Sequence, residues 1–142
     1  ARRLYMRAKA LEALAIVLET MSDASGEPPV AARERRQLAQ ARRLIEARYG
    51  EVWTVPRLAR EVGLSVKKLK AGFRQVAGRS VHAYLRSVRL EAAASMLEAG
   101  YSVTDAALAT GFVNLSHFSK SFRQAKGVAP RHWLDRPGVR LR

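Results

Sequence analysis

The chain has 142 residues and carries 26 lysines and arginines against 12 aspartates and glutamates, a formal net charge of +14. It has no cysteine, which excludes a disulfide framework, a thiolate metal site and a thiol nucleophile, and no run of the ~18 apolar residues that a membrane span needs. Such a charge is typical of proteins with a polyanionic partner, nucleic acid or an anionic membrane surface, the alternative being a basic surface that serves only solvation.

The first predicted element is a helix over residues 4–21, whose apolar residues recur at helical spacing for fewer than three heptads. The stretch SDASGEPPV at residues 22–30 predicts a linker, and residues 31–49 predict a further helix. Because the chain begins without a methionine and within helix-like sequence, we expect it to be a fragment of a longer protein.

Residues 54–78 predict a short helix, a glycine turn and a second helix. Thr54 and Ser65 are the predicted N-caps of the two helices, and Gly63 is the residue type that ends a helix in the left-handed conformation. The predicted apolar face of the second helix consists of Val66, Leu69, Phe73 and Val76. This pattern indicates either a helix-turn-helix unit or an αα-hairpin of no special function.

One longer helix is predicted over residues 80–99, from the N-cap Ser80 to a stop at Gly100. Its apolar positions recur at helical spacing and are Val81, Tyr84, Leu85, Val88, Ala92 and Met96. A helix of ~19 residues rises ~28 Å, which is close to the ~34 Å between successive major grooves on one side of B-DNA. It could therefore hold two DNA-binding units in adjacent grooves, and a role in the core is compatible with that.

Residues 102–127 repeat the pattern of residues 54–78. The stretches KAGFRQVAG and SKSFRQAKG align Phe73 with Phe122 at an offset of 49 residues. Ser102 and Asn114 are the predicted N-caps of this copy. The predicted apolar face of its second helix consists of Leu115, Phe118, Phe122 and Ala125. The repetition predicts two units of the same kind.

The second helix of each copy carries a polar stripe without acidic residues. In the first copy the stripe consists of Lys67, Lys70, Ala71 and Arg74, and in the second of Ser116, Ser119, Lys120 and Arg123. Both stripes lie in windows that contain no aspartate or glutamate, residues 62–90 and 106–134. A face meant only for solvent usually mixes charges of both signs, whereas these side chains suit phosphates and base edges.

These stretches resemble the DNA-binding domain of the AraC/XylS family of bacterial transcription regulators over about residues 38–135. AALATGFVNLSHFSKSFRQAKGVAP resembles the second motif of the family, VRLEAAASML its linker helix and LAREVGLSVKKLKAGFRQVAG its first motif. The resemblance implies an all-α fold in which two helix-turn-helix subdomains are joined by a long linker helix and preceded by an extra N-terminal helix.

The resemblance also implies roles for individual residues. Those expected to read bases are Lys67, Lys70, Ala71, Ser116, His117 and Lys120, and those expected to bind phosphate are Lys68, Arg74, Ser119 and Arg123. Lys70 is suited to guanine, and the Ala71 methyl to the methyl group of thymine. Arg89 is the linker-helix arginine of the family pattern, for which we expect a structural role.

The resemblance implies that residues 31–142 are the DNA-binding domain. It implies that residues 1–21 are the last helix of a missing sensing and dimerisation domain, and the alternative is a helix packed on the DNA-binding domain. The implied partners are double-stranded DNA, RNA polymerase and a small-molecule effector that acts through the missing domain, in the cytoplasm and without a membrane. The stretches LYMRAKALEALA and WTVPRLAREVGL resemble the siderophore-responsive branch of the family.

The sequence predicts no catalytic, metal or cofactor site. His82, His117 and His132 lack the spacing of metal ligands, and Ser116 and His117 are adjacent on a helix and so point ~100° apart. We therefore predict that the chain is not an enzyme. The competing classes are a non-specific nucleic-acid binder, RNA included, and an interaction module that uses the N-terminal helix.

Overall fold

The structure is a computed structural model that describes residues 11–12 and 29–137. Apart from residues 11–12 and 29–30, the predicted N-terminal helix at residues 4–21 and the predicted linker at residues 22–30 lie outside the described residues. By its contacts the chain divides into two compact units, residues 1–37 and 38–142. Both helix-turn-helix units belong to the second of these.

The described residues are helical and include no β-strand, which confirms the predicted all-α fold. The elements are α1 (Pro29–Ala47), α2 (Val55–Val62), α3 (Val66–Ala77), α4 (Val81–Glu98), α5 (Val103–Ala109), α6 (Leu115–Lys126) and a 3₁₀ helix (Pro130–Asp135). Helices α2 and α3 form the first helix-turn-helix unit, α5 and α6 form the second, and α4 is the linker helix. Within the described part of the chain, no helix has both the length and the apolar character to cross a membrane.

All five helices from α2 to α6 begin at the predicted side-chain caps. The hydroxyl of Ser65 accepts a hydrogen bond from the backbone N–H of Lys68 at 3.2 Å, and the side-chain oxygen of Asn114 accepts one from His117 at 3.0 Å. The remaining caps are Thr54, Ser80 and Ser102. Each cap satisfies an N–H group that the first turn of a helix leaves without a partner. The starts of α3 and α6 are therefore fixed in the same way.

The buried faces of α3 and α6 are narrower than predicted. Val66 and Val76 at the two ends of α3 are 38% and 36% exposed, and Leu115 and Ala125 of α6 are exposed as well. All four residues lie in the first or last turn of their helices, where the chain turns away to the next element. The middle turns hold the fully buried residues Leu69, Phe73, Phe118 and Phe122.

Each helix-turn-helix unit has its own apolar core. In the first, Phe73 of α3 is fully buried with Leu58 and Leu69, and in the second Phe118 and Phe122 of α6 are fully buried. The Phe122 ring also meets Trp133 of the 3₁₀ helix edge-on, with ring centroids 5.3 Å apart. The prediction that these phenylalanines are core residues is confirmed.

Helix α4 packs against the two cores with opposite sides. Val81 and Leu85 pack in the first core, whereas residues of the second half pack in the second core, namely Leu90, Ala93, Ala94 and Leu97. Nine residues of an α-helix turn by ~900°, so Val81 and Leu90 face roughly opposite directions. In this half the predicted positions Ala92 and Met96 are only partly buried, with Met96 packed against the second core, and the buried residues lie on the other side of the helix.

The C-terminal part of α1 supports α3 from behind. A Cβ atom on Gly72 of α3 would lie within 2.5 Å of the Leu38 side chain, so glycine permits the close approach of the two helices. At the end of α3, the Arg42 guanidinium donates to the carbonyl of Val76 at 3.2 Å and to the hydroxyl of Tyr84 at 3.0 Å. Helix α3 is thus held on the side away from its polar stripe.

Candidate nucleic-acid interface

The first candidate surface is the polar stripe of α3, which we call the first stripe. Lys67, Lys70, Ala71 and Arg74 are all exposed, and steps of three and four residues keep them on one side of the helix. The buried residues Leu69 and Phe73 lie on the far side of α3. The structure therefore brings these four predicted residues together on one accessible face.

The second stripe is the equivalent face of α6. Ser116, Lys120 and Arg123 are exposed, while Ser119 is partly buried at one edge. Ser119, Lys120 and Arg123 line a surface pocket of about 730 Å³ together with Arg131 of the 3₁₀ helix. Arg131 had no predicted role, although it falls in an acid-free window, because only the folded chain brings the 3₁₀ helix beside α6.

Lys68 and His117 occupy equivalent positions at the edges of the stripes. Each is the third residue of its helix and lies ~100° around the axis from the second residue, which belongs to the stripe. The His117 ring lies 6.0 Å from the Phe112 ring and lines a pocket of about 330 Å³ with His82 and Arg86 of α4. His117 is therefore on the side of α6 that faces the linker helix.

The cations of the two stripes are not neutralised by the protein. Among residues 29–137, no ion pair involves the side chains of Lys67, Lys70, Arg74, Lys120 and Arg123. The acids pair instead with cations elsewhere: Glu46 with Arg42, Glu51 with Arg48 and Arg57, Glu91 with Lys126, and Glu98 with Arg136. Positive charge is thus left on the faces that are free to meet a polyanion.

A third basic feature lies beside the second stripe. Arg79 and Arg86 line a groove of about 380 Å³ between α4 and α6, which also includes Gln124. Both arginines fall in the first acid-free window, residues 62–90, but the sequence predicted no role for them. Their place next to α6 depends on how the second unit packs on α4, and no local pattern contains that information.

The chain is similar in sequence to bacterial regulatory proteins. A family model described as a helix-turn-helix domain matches residues 58–136. The regulatory protein PchR of Pseudomonas aeruginosa is 37% identical over 99 residues, which are 68% of this chain and 33% of PchR. The chain spans about a third of the length of the curated relatives it matches.

Solved structures share the fold. A transcriptional regulator with an AraC-type DNA-binding domain from Chromobacterium violaceum aligns with a TM-score of 0.67 and 30% identity, over 73% of this chain and 96% of that one. The DNA-binding domain of AdpA, a global transcriptional factor in complex with a target DNA, aligns with a TM-score of 0.64 and 25% identity, over 70% of this chain and 96% of that one.

Proposed function

Since the chain belongs to the AraC family of transcription regulators, we propose that it binds duplex DNA by placing α3 and α6 in two successive major grooves. Sequence-specific binding of double-stranded DNA is the function of its domain, and the family consists of regulators rather than enzymes. The observation that carries the two-groove proposal is the pair of equivalent, acid-free stripes with unpaired cations on α3 and α6.

The length of the linker helix supports two-groove binding. Helix α4 has 18 residues and rises ~27 Å, against the ~34 Å that separates successive major grooves on one side of B-DNA. One unit on each half of α4 is therefore a suitable arrangement for adjacent grooves.

Position along each helix, together with position across the stripe, separates the proposed roles. Residues near the N-terminus of a recognition helix reach base edges, and residues further along meet the walls of the groove. Base reading is proposed for Lys67, Lys70, Ala71, Ser116, His117 and Lys120. Phosphate binding is proposed for Arg74 and Arg123, about one turn beyond Lys70 and Lys120, and for Lys68 and Ser119 at the edges of the stripes. Arg131 joins this group because it shares a pocket with Arg123.

Further partners of the full-length protein are also proposals. Two thirds of PchR lie outside the matched region. A full-length protein organised like PchR would have room there for a domain that senses a small-molecule effector. RNA polymerase is a proposed partner because the relatives are named as transcriptional regulators and activators. The cytoplasm is the proposed location, since that is where bacterial DNA is read.

Selecting bound sites from a random duplex pool tests the proposed function. We expect an enriched motif in two blocks about one helical turn, 10–10.5 base pairs, apart. Lys126→Ala is the matched control, because Lys126 lies on α6 but is paired with Glu91, and it should select the same motif. A pool that yields no motif, together with equal binding of RNA, would indicate a nucleic-acid binder held by charge alone.

A further inference from the structure

Arg89 of α4 is hydrogen-bonded to the first helix-turn-helix unit. Its Nε donates to the carbonyl oxygen of Tyr49 and its Nη2 to the carbonyl oxygen of Glu51, both at 2.8 Å. These carbonyls lie in the loop between α1 and α2, and Trp53 of the same loop is buried in the first core. Arg89 thus joins the linker helix to a part of the first unit that is 38 to 40 residues away in sequence.

The same guanidinium group lies against the second unit. A Cβ atom on Gly111, in the turn between α5 and α6, would be 2.9 Å from Nε, 3.0 Å from Cζ and 3.1 Å from Nη2 of Arg89. Because these three distances are nearly equal, the flat face of the guanidinium group is turned towards the glycine. Gly111 also has a φ of 95°, which strongly favours glycine. The group is therefore enclosed between the first unit's loop and the second unit's turn.

The loop that Arg89 contacts is itself firmly held. The Trp53 indole N–H donates to the carbonyl of Arg48 at 2.8 Å, and Arg57 donates to the carbonyl of Val52 at 2.6 Å. The guanidinium of Arg57 also lies 4.2 Å from the centre of the Trp53 ring. The hydrogen bonds of Glu51 with Arg48 and Arg57 lower the pKa of its carboxyl to about 2. A contact with this loop is consequently a contact with a fixed point of the first unit.

The partners of Arg89 among the described residues are carbonyl oxygens. No carboxylate of the described residues pairs with it, and burial lowers its pKa. An arginine nevertheless stays charged in a protein, so the planar group keeps its full set of donors at any working pH. Its fork matches two carbonyls at once, which a lysine ammonium cannot do with the same geometry.

We infer that Arg89 is a positioning residue that fixes the orientation of the two helix-turn-helix units, and through it the spacing of the two DNA blocks. The two cores are separate and each packs on one half of α4, whereas Arg89 is hydrogen-bonded to the first unit and lies against the turn of the second. The effect on spacing rests on the proposed function, whereas the effect on orientation does not. Two measurements address these effects separately.

The first measurement compares spacing preferences on DNA. We expect the wild type to lose about 10-fold or more in affinity when one base pair is added between the two selected DNA blocks. This loss is comparable to that caused by one mismatched base pair in a binding site. Arg89→Met, which keeps an apolar stem but no donors, should reduce that loss to about threefold, and Arg89→Lys should be intermediate. Arg43→Met is the matched control, because Arg43 is an exposed arginine of α1 outside both stripes, and it should keep the wild-type loss.

The second measurement needs no DNA. The chain has no cysteine, so spin labels can be placed on two introduced cysteines, Gln75→Cys in the first unit and Leu108→Cys in the second, both at exposed positions. We expect a single narrow distribution of label distances with Arg89 and a clearly broader one with Arg89→Met. If Arg89→Met does not fold, Arg89→Lys is measured instead, with a smaller broadening expected.

The outcomes separate the inference from the proposed function. An Arg89 variant with the wild-type distance distribution and the wild-type spacing loss would overturn the inference. If that variant also bound every DNA more weakly with a salt slope lower by about one, Arg89 would be a phosphate contact. A wild type without any spacing preference would contradict two-groove binding, and the distance distributions would still decide whether Arg89 fixes the two units.

Discussion

Raising the monovalent salt from 50 to 200 mM is expected to weaken binding to duplex DNA by about 150-fold. The residues proposed to bind phosphate include four exposed cations, Lys68, Arg74, Arg123 and Arg131. Each neutralised phosphate releases counterions and contributes ~0.9 to the slope of log affinity against log salt, so about four contacts give a slope of about −3.6. The slope is measured by titrating labelled duplex at several salt concentrations.

Two variants of α6 calibrate this slope. Arg123→Ala should lower its magnitude by about one unit, because it removes one phosphate contact. Lys126→Ala should leave it unchanged, since Lys126 is already paired with Glu91 and its side chain is 16% exposed. A wild-type slope near zero would contradict the assignment of the stripes to DNA. A loss of slope in Lys126→Ala equal to that in Arg123→Ala would show that the binding charge is not confined to the stripes.

Phe122→Ala is expected to lower the free energy of unfolding by about 3–5 kcal/mol, the usual cost of removing a buried phenylalanine ring. Phe122 is fully buried, with its ring centroid 5.7 Å from that of Phe118 and 5.3 Å from that of Trp133. Domains of this size are stable by ~5–15 kcal/mol, so much of the stability would be lost. Urea unfolding followed by circular dichroism measures the difference.

Val113→Ala is the control for this substitution. Val113 is an apolar residue of the second unit that is 98% exposed, so its truncation should change the free energy of unfolding by less than about 0.5 kcal/mol. Because the two cores are separate, Phe122→Ala should also impair recognition of the DNA block read by α6 more than that read by α3. A loss below 1 kcal/mol for Phe122→Ala would mean that the aromatic cluster does not hold the second unit together.

The repeated units were predictable from sequence because their signals are local. N-caps such as Ser65 and Asn114 act within one turn of their helix, and both were predicted and found. The left-handed conformation of Gly63 was predicted for the same reason, since only the residues next to it decide how α2 ends. The apolar periodicity likewise identified Phe73 and Phe122 as core residues.

What depends on tertiary packing could not be predicted. The sequence predicted that the apolar faces of α3 and α6 include Val66 and Leu115, but both are exposed at the first position of their helices. The sequence predicted one apolar stripe on α4, because a periodicity count averages over the whole helix. In the structure the two halves of α4 face different cores. The partners of Arg89 lie 38 to 40 residues away, and no spacing rule connects an arginine with backbone carbonyls at that distance.

The most direct test of base reading compares Lys120→Ala with Arg123→Ala on two duplexes. One duplex is the selected site, and the other is the same site with the block read by α6 scrambled. Lys120 lies within two turns of the N-cap Asn114, and Arg123 lies one turn further on. Both are exposed cations of the second stripe, so they differ mainly in their position along the groove.

Lys120→Ala should cost about 1–3 kcal/mol on the selected site and much less on the scrambled one, whereas Arg123→Ala should weaken both duplexes about equally. Lys70→Ala and Arg74→Ala should behave in the same way for the block read by α3. An equal loss on both duplexes for Lys120→Ala would contradict the account, because α6 would then hold the DNA backbone without reading its sequence.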